Sequence, residues 1–383
     1  MKIGIDARFY GSLGKGLGRY TEKLITHLEQ ISEDTNSYVV FLRHENFTEY
    51  QPSNPRFEKV EADFPWYGWR EQLVFPVLLR RYRLDLIHFP HFNVPILVST
   101  PFVVTVHDLI LFHFPTVKAS ELPPLLYWLK YLAYRVVISL AIRRARAIIT
   151  VSDFTRLDIA ATFPYSQSKI SVTREAADAD CSWLPHGAEL DCLRSLGLCQ
   201  RVGEEEKILP FVLYVGNAYP HKNLELLLRI APTQPDIIFL CVGKEDYFYH
   251  AFRERVMAAR VGNIQFAGFV DDRVLGVLYR NATVYFFPSL YEGFGLPGLE
   301  AMNVGTPVVA ARAGSLPEVY GPAARYFDPA DMHSCHQALE SAIRGEQHDQ
   351  YRTAGFVRTQ LFSWRRMARE TLALYGTVLS RRY

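Results

Sequence analysis

The chain has few cysteines, almost no net charge and no long uncharged apolar run, and each shortage removes a class of protein. Its five cysteines, at 181, 192, 199, 241 and 335, are odd in number and form no C-x-x-C pair. That argues against a disulfide framework or a zinc site and fits a reducing, cytoplasmic compartment. A formal net charge of +2 over 383 residues gives no basis for binding a bulk polyanion, so nucleic acid is not an expected partner. With 49% hydrophobic and 21% charged residues, the chain is not a disordered one either.

The opening MKIGIDAR carries Asp6 and Arg8 where a secretory leader would be apolar, so no signal peptide is expected. The apolar stretch 122–142 is interrupted by Pro123, Pro124, Lys130 and Arg135, and its last uncharged run, Val136 to Ile142, is shorter than the ~20 residues a span needs. No transmembrane segment is expected. The stretch 125–146 is instead expected as an amphipathic helix with a basic end at Arg143, Arg144 and Arg146, able to rest peripherally on an anionic membrane.

What the chain does have is alternation. Apolar runs at 2–6, 38–42, 84–89, 102–106 and 147–151 read as strands separated by helical stretches, and the pattern restarts at 211–215, 236–242, 264–267, 284–287 and 307–311. This is the signature of α/β architecture with two doubly wound parallel sheets. Periodicity fades between Ser182 and Glu206, which is read as a linker. The expected division is 1–185, 206–362 and a terminal helix at 363–383 that crosses back to the first domain, anchored by Trp364.

One stretch organises the chemistry. In VYFFPSLYEGFGLPGLEAMNVG, residues 284–305, a strand runs through a loop with two glycines into a helix with Pro297 in its first turn and Gly305 as its stop. Backbone N–H groups and the macrodipole at such a helix start favour an anion. Gly293 and Gly295 permit close approach. Glu292 and Glu300 flank the place, spaced to meet different parts of one ligand through its hydroxyls. Sugar, phosphate and ribose in succession describe a nucleotide sugar.

Other candidates surround this one. Gly216-Asn217-Ala218-Tyr219-Pro220-His221-Lys222-Asn223 follows a strand, with Asn223 expected to cap a Leu-rich helix and Lys222 placed to meet a diphosphate. The glycines at 11, 14, 16 and 18 follow the first strand, but Thr21 stands where a dinucleotide fingerprint needs its third glycine, which weakens an NAD(P) reading. His88 and His107 fall at strand C-terminal ends, where open α/β sheets place ligands, and His88 and His91 are candidate cleft walls. Thr150-Val-Ser-Asp-Phe-Thr155 is a strand running into a helix capped by Ser152. Asp178-Ala-Asp180 fits a D-x-D metal motif formally but precedes the linker rather than ending a strand, and is set aside.

Glu292-Gly-Phe-Gly-Leu-Pro-Gly-Leu-Glu300, continued by Gly305-Thr-Pro-Val-Val309, Gly314-Ser-Leu-Pro-Glu318 and Tyr326-Phe-Asp-Pro329, resembles the E-x7-E signature of the family-4 retaining glycosyltransferases. The resemblance spans nearly the whole chain and is densest from 211 to 330; TVHD, TVSDFT and SLYEGFGLPGLEAM lie nearest the bacterial mannosyltransferase-like members. It implies two Rossmann-like domains facing across a cleft, a nucleotide-sugar donor (GDP-mannose or a UDP-sugar), a glycan or lipid-linked acceptor, and neither cofactor nor metal. In the roles it implies, Glu292 contacts the donor sugar, the amides of Gly293, Phe294, Gly295 and Leu296 contact sugar and diphosphate, and Glu300 holds the ribose. His107 lies beside the sugar, Gly16 near the phosphates, and Val270 edges the base through its backbone, while Gly216, Asn217 and Lys222 serve the phosphates. Two departures stand out: Asn217 occupies a usually basic place, and Thr173-Arg-Glu-Ala-Ala-Asp178 replaces an Asn-Gly-Val-Asp element. A glycoside hydrolase and a non-catalytic nucleotide-sugar-binding subunit are the rival readings, and the former leaves the anion site and the lysine unexplained.

Overall fold

The computed structural model describes residues 1–116, 123–177, 186–202 and 205–380. Contacts divide the chain into two units. The first comprises Met1–Phe112, Leu122–Glu175 and Ser363–Tyr383, and the second His113–Glu121 and Ala176–Phe362.

The first unit is built on seven parallel strands: β1 (Lys2–Asp6), β2 (Ser37–Leu42), β3 (Phe57–Glu61), β4 (Leu86–Phe89), β5 (Phe102–Thr105), β6 (Ala147–Thr150) and β7 (Ile170–Val172). Their order is β3-β2-β1-β4-β5-β6-β7, so the winding reverses between β1 and β4. The central strands are apolar on both faces because helices cover both, and β4, β5 and β6 are buried along their whole length. β3 and β7 were not evident in the sequence. Both are edge strands: β3, with the sequence FEKVE, is only partly buried, and β7 has just three residues.

The spacing of Leu17, Tyr20, Leu24, Ile25 and Leu28 predicts one apolar face on the helix Lys15–Glu29; Tyr20, Leu24, Ile25 and Leu28 are buried, Leu17 is half-buried, and the helix packs along the final helix Trp364–Ser380. That final helix buries Trp364, Met367, Ala368, Thr371 and Tyr375.

The helix Pro124–Arg144 departs from expectation. It is apolar all round rather than amphipathic: Tyr127, Ile138, Ala141 and Ile142 are buried, while Leu125, Trp128, Leu129, Leu132 and Val136 are exposed. By length and composition, Leu125–Arg144 could also cross a membrane, since two interrupting charges are too few to prevent it. Ile138, Ala141 and Ile142 nevertheless fix its C-terminal half in the core of the first unit.

In the second unit, the stretch expected as a linker is structured. It holds the helix His186–Ser195 and an antiparallel hairpin of β8 (Cys199–Val202) and β9 (Glu205–Ile208), too short and polar to show a period. Arg280 of the helix Asp272–Asn281 pairs with Glu189 to tie that helix down. The main sheet has six parallel strands: β10 (Phe211–Val215), β11 (Ile238–Val242), β12 (Ile264–Gly268), β13 (Val284–Phe287), β14 (Val308–Ala311) and β15 (Ala324–Phe327). Their order, β12-β11-β10-β13-β14-β15, is the doubly wound Rossmann order, and the winding reverses between β10 and β13. A topological switch point of this kind opens a crevice beyond the strand ends.

Candidate active site at the second switch point

The loops that leave β10 and β13 meet at that crevice. After β10, Gly216 N–H donates to Val242 O (2.9 Å) and its carbonyl accepts from the Tyr249 hydroxyl (3.0 Å). The Tyr214 hydroxyl donates to Asn217 O (2.5 Å), and Asn217 Oδ1 accepts from Tyr219 N–H (3.3 Å). Asn217 therefore holds the turn together and adds no charge to it. The turn Pro220–Lys222 follows, and Asn223 adopts the left-handed conformation (φ 57°) instead of capping; Leu224 precedes the short helix Glu225–Ile230.

Lys222 Nζ then reaches Glu292 Oε1 at 2.6 Å, with the two side chains only 15% and 10% exposed. The ammonium also lies 5.6 Å from the Phe287 ring centroid, at the end of β13. Neighbouring His221 is buried, and its pKa falls to about 3, first through burial and then through the charge of Lys222. It is a neutral wall. Its carbonyl accepts from Leu290 N–H (2.7 Å), which links the two loops directly.

The loop after β13 is pinned through its carbonyls. Glu292 O accepts from Ser315 N–H (3.2 Å), Phe294 O from Ser315 Oγ (3.0 Å), and Gly295 O from the Tyr320 hydroxyl (2.6 Å). With the acceptors turned toward 315–320, the donors of the site are the amides of the loop and of the first helical turn. Gly295 is the N-cap of the helix Leu296–Asn303 at φ 99°, and a Cβ there would lie 2.7 Å from Leu316 Cδ2 and from the Tyr320 hydroxyl. Only glycine fits that place. Phe294 is buried with its ring against Phe362 (5.5 Å), so it can serve a ligand only through its backbone.

Glu300 lies one turn into the helix, 8% exposed, and its Oε2 accepts from the buried Tyr279 hydroxyl at 3.0 Å. Val270 follows β12 at the sheet edge, just before the N-cap Asp271. The structure thus brings Gly216, Asn217, Lys222, Glu292, Gly293, Gly295, Leu296 and Glu300 to the rim where β10 and β13 end, and sets Val270 two strands away. Tyr291 joins them: His113 and Phe114 of the same unit pack on it at 5.4 and 6.1 Å.

Gly16 and His107 belong to the first unit. Gly16 is exposed, with nothing within 4 Å of a notional Cβ. Gly14 and Gly18 are the crowded ones: a Cβ would fall 1.9 Å from Phe9 O at Gly14 and 2.0 Å from Gly11 O at Gly18. His107 uses both ring nitrogens, Nδ1 toward Glu175 (3.1 Å) and Nε2 toward Pro90 O (3.0 Å). Both partners only accept, so the arrangement suits the imidazolium. Burial opposes that charge, but the hydrogen bond to Glu175 and its charge, with Pro90 O and Asp108, outweigh burial and raise the pKa. Tyr20 packs edge-on against the ring at 4.7 Å.

His88 is not a cleft wall. It is fully buried, with Nδ1 toward the Tyr375 hydroxyl (2.6 Å) and Nε2 toward Thr105 Oγ1 (2.8 Å), and burial depresses its pKa to about 3. His91 is partly exposed, its ring tilted by 41° against Phe92 with centroids 3.9 Å apart.

Sequence reasoning missed Tyr279 and Tyr320 as supports of the rim in the second unit, and Glu175 as the partner of His107 in the first. Only their partners carry a local signal, because the contacts join residues 68, 21 and 25 positions apart. Asp178 and Asp180 lie outside the described residues; among the described residues, no three of His, Cys, Asp and Glu gather as a metal set. Taken together, the rim offers a lysine and a helix start for negative charge, and two carboxylates for hydroxyls.

Known proteins resemble this chain in sequence and in fold. The family model described as glycosyl transferases group 1 matches residues 200–355, and that described as glycosyltransferase family 4 matches residues 14–180. The chain is 32% identical over 306 residues to O-antigen chain mannosyltransferase B of Escherichia coli, covering 78% of this chain and 75% of that one. It is 25% identical over 344 residues to O-antigen chain mannosyltransferase RfbU of Salmonella typhimurium, covering 86% and 88%. Among solved structures, sucrose-phosphate synthase from Thermosynechococcus elongatus superimposes with a TM-score of 0.73 at 20% identity over 100% of both chains. Anabaena HepE in complex with UDP-glucose gives 0.70 at 17% identity over 99% of each. At these identities the structural likeness speaks for the fold alone.

Proposed function

The chain belongs to the group 1, family-4 glycosyltransferases, and from that premise we propose that it moves a mannosyl group from GDP-mannose to a hydroxyl of a glycan or lipid-linked acceptor, with retention and without a metal. The observation that carries the reading is the Lys222–Glu292 contact at the mouth of the helix Leu296–Asn303. A departing nucleoside diphosphate develops charge where that lysine and the helix-start amides sit, and preorganised donors at such a point act on the transition state. Glu292, already engaged by Lys222, serves as a sugar-hydroxyl anchor and not as a covalent nucleophile. Attack then comes on the face from which the diphosphate leaves, and the leaving phosphate takes the acceptor proton.

Mannose ranks first because the two O-antigen relatives are mannosyltransferases. A UDP-sugar is the second reading, favoured by the shared fold of the HepE complex with UDP-glucose. Thermal shift with GDP, GDP-mannose, UDP and UDP-glucose separates the two. GDP-mannose is expected to stabilise the protein most, and preferential stabilisation by UDP-glucose overturns the mannosyl reading. NMR of the product is expected to show the donor's anomeric configuration, and turnover is expected to survive EDTA. An inverted product, or activity lost to EDTA and restored by a divalent ion, overturns the mechanism.

A further inference from the structure

The donor rim uses the switch point of the second sheet. The first sheet has a switch point of its own, between β1 and β4, and open α/β sheets place ligands at such points. The segments that follow β1, β3 and β4 are drawn together there by one buried carboxylate, that of Glu71 in the helix Trp69–Leu73. Its oxygens accept from Arg8 Nη2 (2.7 Å), from Asn93 Nδ2 (2.8 and 2.9 Å) and from the Tyr67 N–H (2.8 Å). Arg8, itself fully buried, also grips Asp6 through Nε and Nη2, each at 2.7 Å. A buried ionic set of this kind is often no more stable than apolar packing; what it fixes here is a conformation.

The conformation it fixes presents an aromatic side chain to solvent. Tyr67 stands at φ 60°, a left-handed backbone that bulky residues rarely adopt, and is 65% exposed. Strain held in place on an exposed ring points to binding. Beside it, Phe9 stacks on Trp66 (4.3 Å, 2° between planes). The His91 ring neighbours Phe9 at 5.1 Å and Phe92 at 3.9 Å, with Tyr67 edge-on at 6.5 Å. Asn93 N–H donates to His91 Nδ1 (3.4 Å), so the proton of a neutral imidazole is left on Nε2. Burial, and then the charge of His107, push the His91 pKa down to about 3 and keep the ring neutral. Among the described residues, neither that Nε2–H nor the Tyr67 hydroxyl has a hydrogen-bond partner.

The chemistry left open is narrow. A flat ring face beside two neutral hydrogen-bonding groups fits a pyranose, which shows one face of C–H groups and a rim of hydroxyls. A hydrocarbon chain would cover those two groups and leave them unsatisfied. An anion is poorly served, because Arg8 is spent on Asp6 and Glu71 and the imidazole carries no charge.

We propose that Tyr67 and His91 form a sugar-binding subsite of the first unit, where a pyranose of the acceptor lies on the Tyr67 ring and meets its hydroxyl and the Nε2–H of His91. The acceptor is then already glycosylated when it arrives, so an earlier glycosyl transfer must supply it. The proposal rests on the chain being a glycosyltransferase, but not on which donor it uses.

Saturation-transfer NMR of the full chain with methyl α-D-mannopyranoside and with methyl α-D-glucopyranoside, in the absence of nucleotide, tests it. At least one glycoside is expected to receive saturation on its ring C–H protons. Y67G is expected to abolish that signal while melting no lower than the parent chain, because glycine relieves the left-handed backbone. H91F, which keeps a flat ring beside Phe9 and Phe92, is expected to weaken affinity about fivefold, as the loss of one neutral hydrogen bond does. No signal with either glycoside, or a signal that survives in Y67G, overturns the proposal. So does a signal lost in Y67G together with a lower melting temperature, which would make Tyr67 a structural residue only. Displacement of the glycoside by GDP or UDP overturns it by assigning the subsite to the donor. A Tyr67-dependent signal from farnesyl phosphate and from neither glycoside overturns it by assigning the ring to a lipid chain. A chain that shows the expected glycoside signal yet is not stabilised by GDP-mannose loses the mannosyl reading and keeps this one.

Discussion

Lys222 and Glu292 are seventy residues apart in sequence and 2.6 Å apart in space, each buried by more than four-fifths. Their pairing means that an arriving diphosphate must share a lysine already held by a carboxylate. Lys222→Met should therefore do two things. It leaves Glu292 without its partner, at a cost on the order of 3–5 kcal/mol for a buried pair broken on one side, and it removes a transition-state donor, for roughly a 10²–10³-fold loss in kcat. In K222M/E292Q the orphaned charge is gone, so melting temperature should recover while turnover does not. Recovery of both, in a double-mutant cycle of melting and steady-state rates, would show that the pair is structural only.

His107 and Glu175 give a pH dependence of definite sign. The folded pKa of His107 lies above its ordinary 6.5, raised by Glu175 against the opposing effect of burial. The stabilisation from the pair is thus fully present below about pH 6.5 and fades as pH rises through the raised folded value. Melting of the parent chain and of E175Q, followed from pH 5.5 to 9, should show a gap that narrows with rising pH. The His107 ring-proton titration, read by NMR, should move to lower pH in E175Q. A gap that widens with pH would mean that His107 is held neutral.

The glycine loop separates architecture from ligand approach. A Cβ at Gly18 meets Gly11 O at 2.0 Å and Phe9 O at 2.6 Å, both backbone atoms that cannot move aside cheaply. Gly18→Ala should destabilise by roughly 1–3 kcal/mol or more, as overpacking does. Gly16 lies in the helix Lys15–Glu29 with open space around it, so Gly16→Ala should raise stability by about 0.5–1 kcal/mol through helix propensity. If a donor phosphate comes against Gly16, this stabilised variant will show a raised KM. An unchanged KM would remove Gly16 from the donor contacts.

Much of this was legible because buried parallel strands announce themselves as short apolar runs: Val284–Phe287 and Phe211–Val215 are buried almost throughout and sit where the sequence puts them. Motif spacing likewise located Glu292 and Glu300 around a helix start. The edge strands β3 and β7 and the hairpin of β8 and β9 were not legible, being short and at most partly buried. The helix Pro124–Arg144 misled in another way: its buried and exposed faces are both apolar, so no period separates them. Glu175 and Tyr279 act only through tertiary contacts, and no pattern local to either residue announces its partner.

Tyr279 offers the finest probe of the donor rim. Its hydroxyl donates to Glu300 Oε2 at 3.0 Å, and burial followed by the charge of Glu300 holds the phenol's pKa well above the usual range, so it remains a donor. Tyr279→Phe keeps the ring and removes only that donor. A hydrogen bond to a buried charged group contributes about 1.5–3 kcal/mol, so melting temperature should fall. If Glu300 holds the ribose, calorimetric affinity for a nucleoside diphosphate should fall about tenfold, the equivalent of 1.4 kcal/mol. Affinity for inorganic pyrophosphate, which has no ribose, should stay at the parental value. Equal losses for both ligands would place Glu300 among the phosphate contacts, or make the effect a general loosening of the helix Leu296–Asn303.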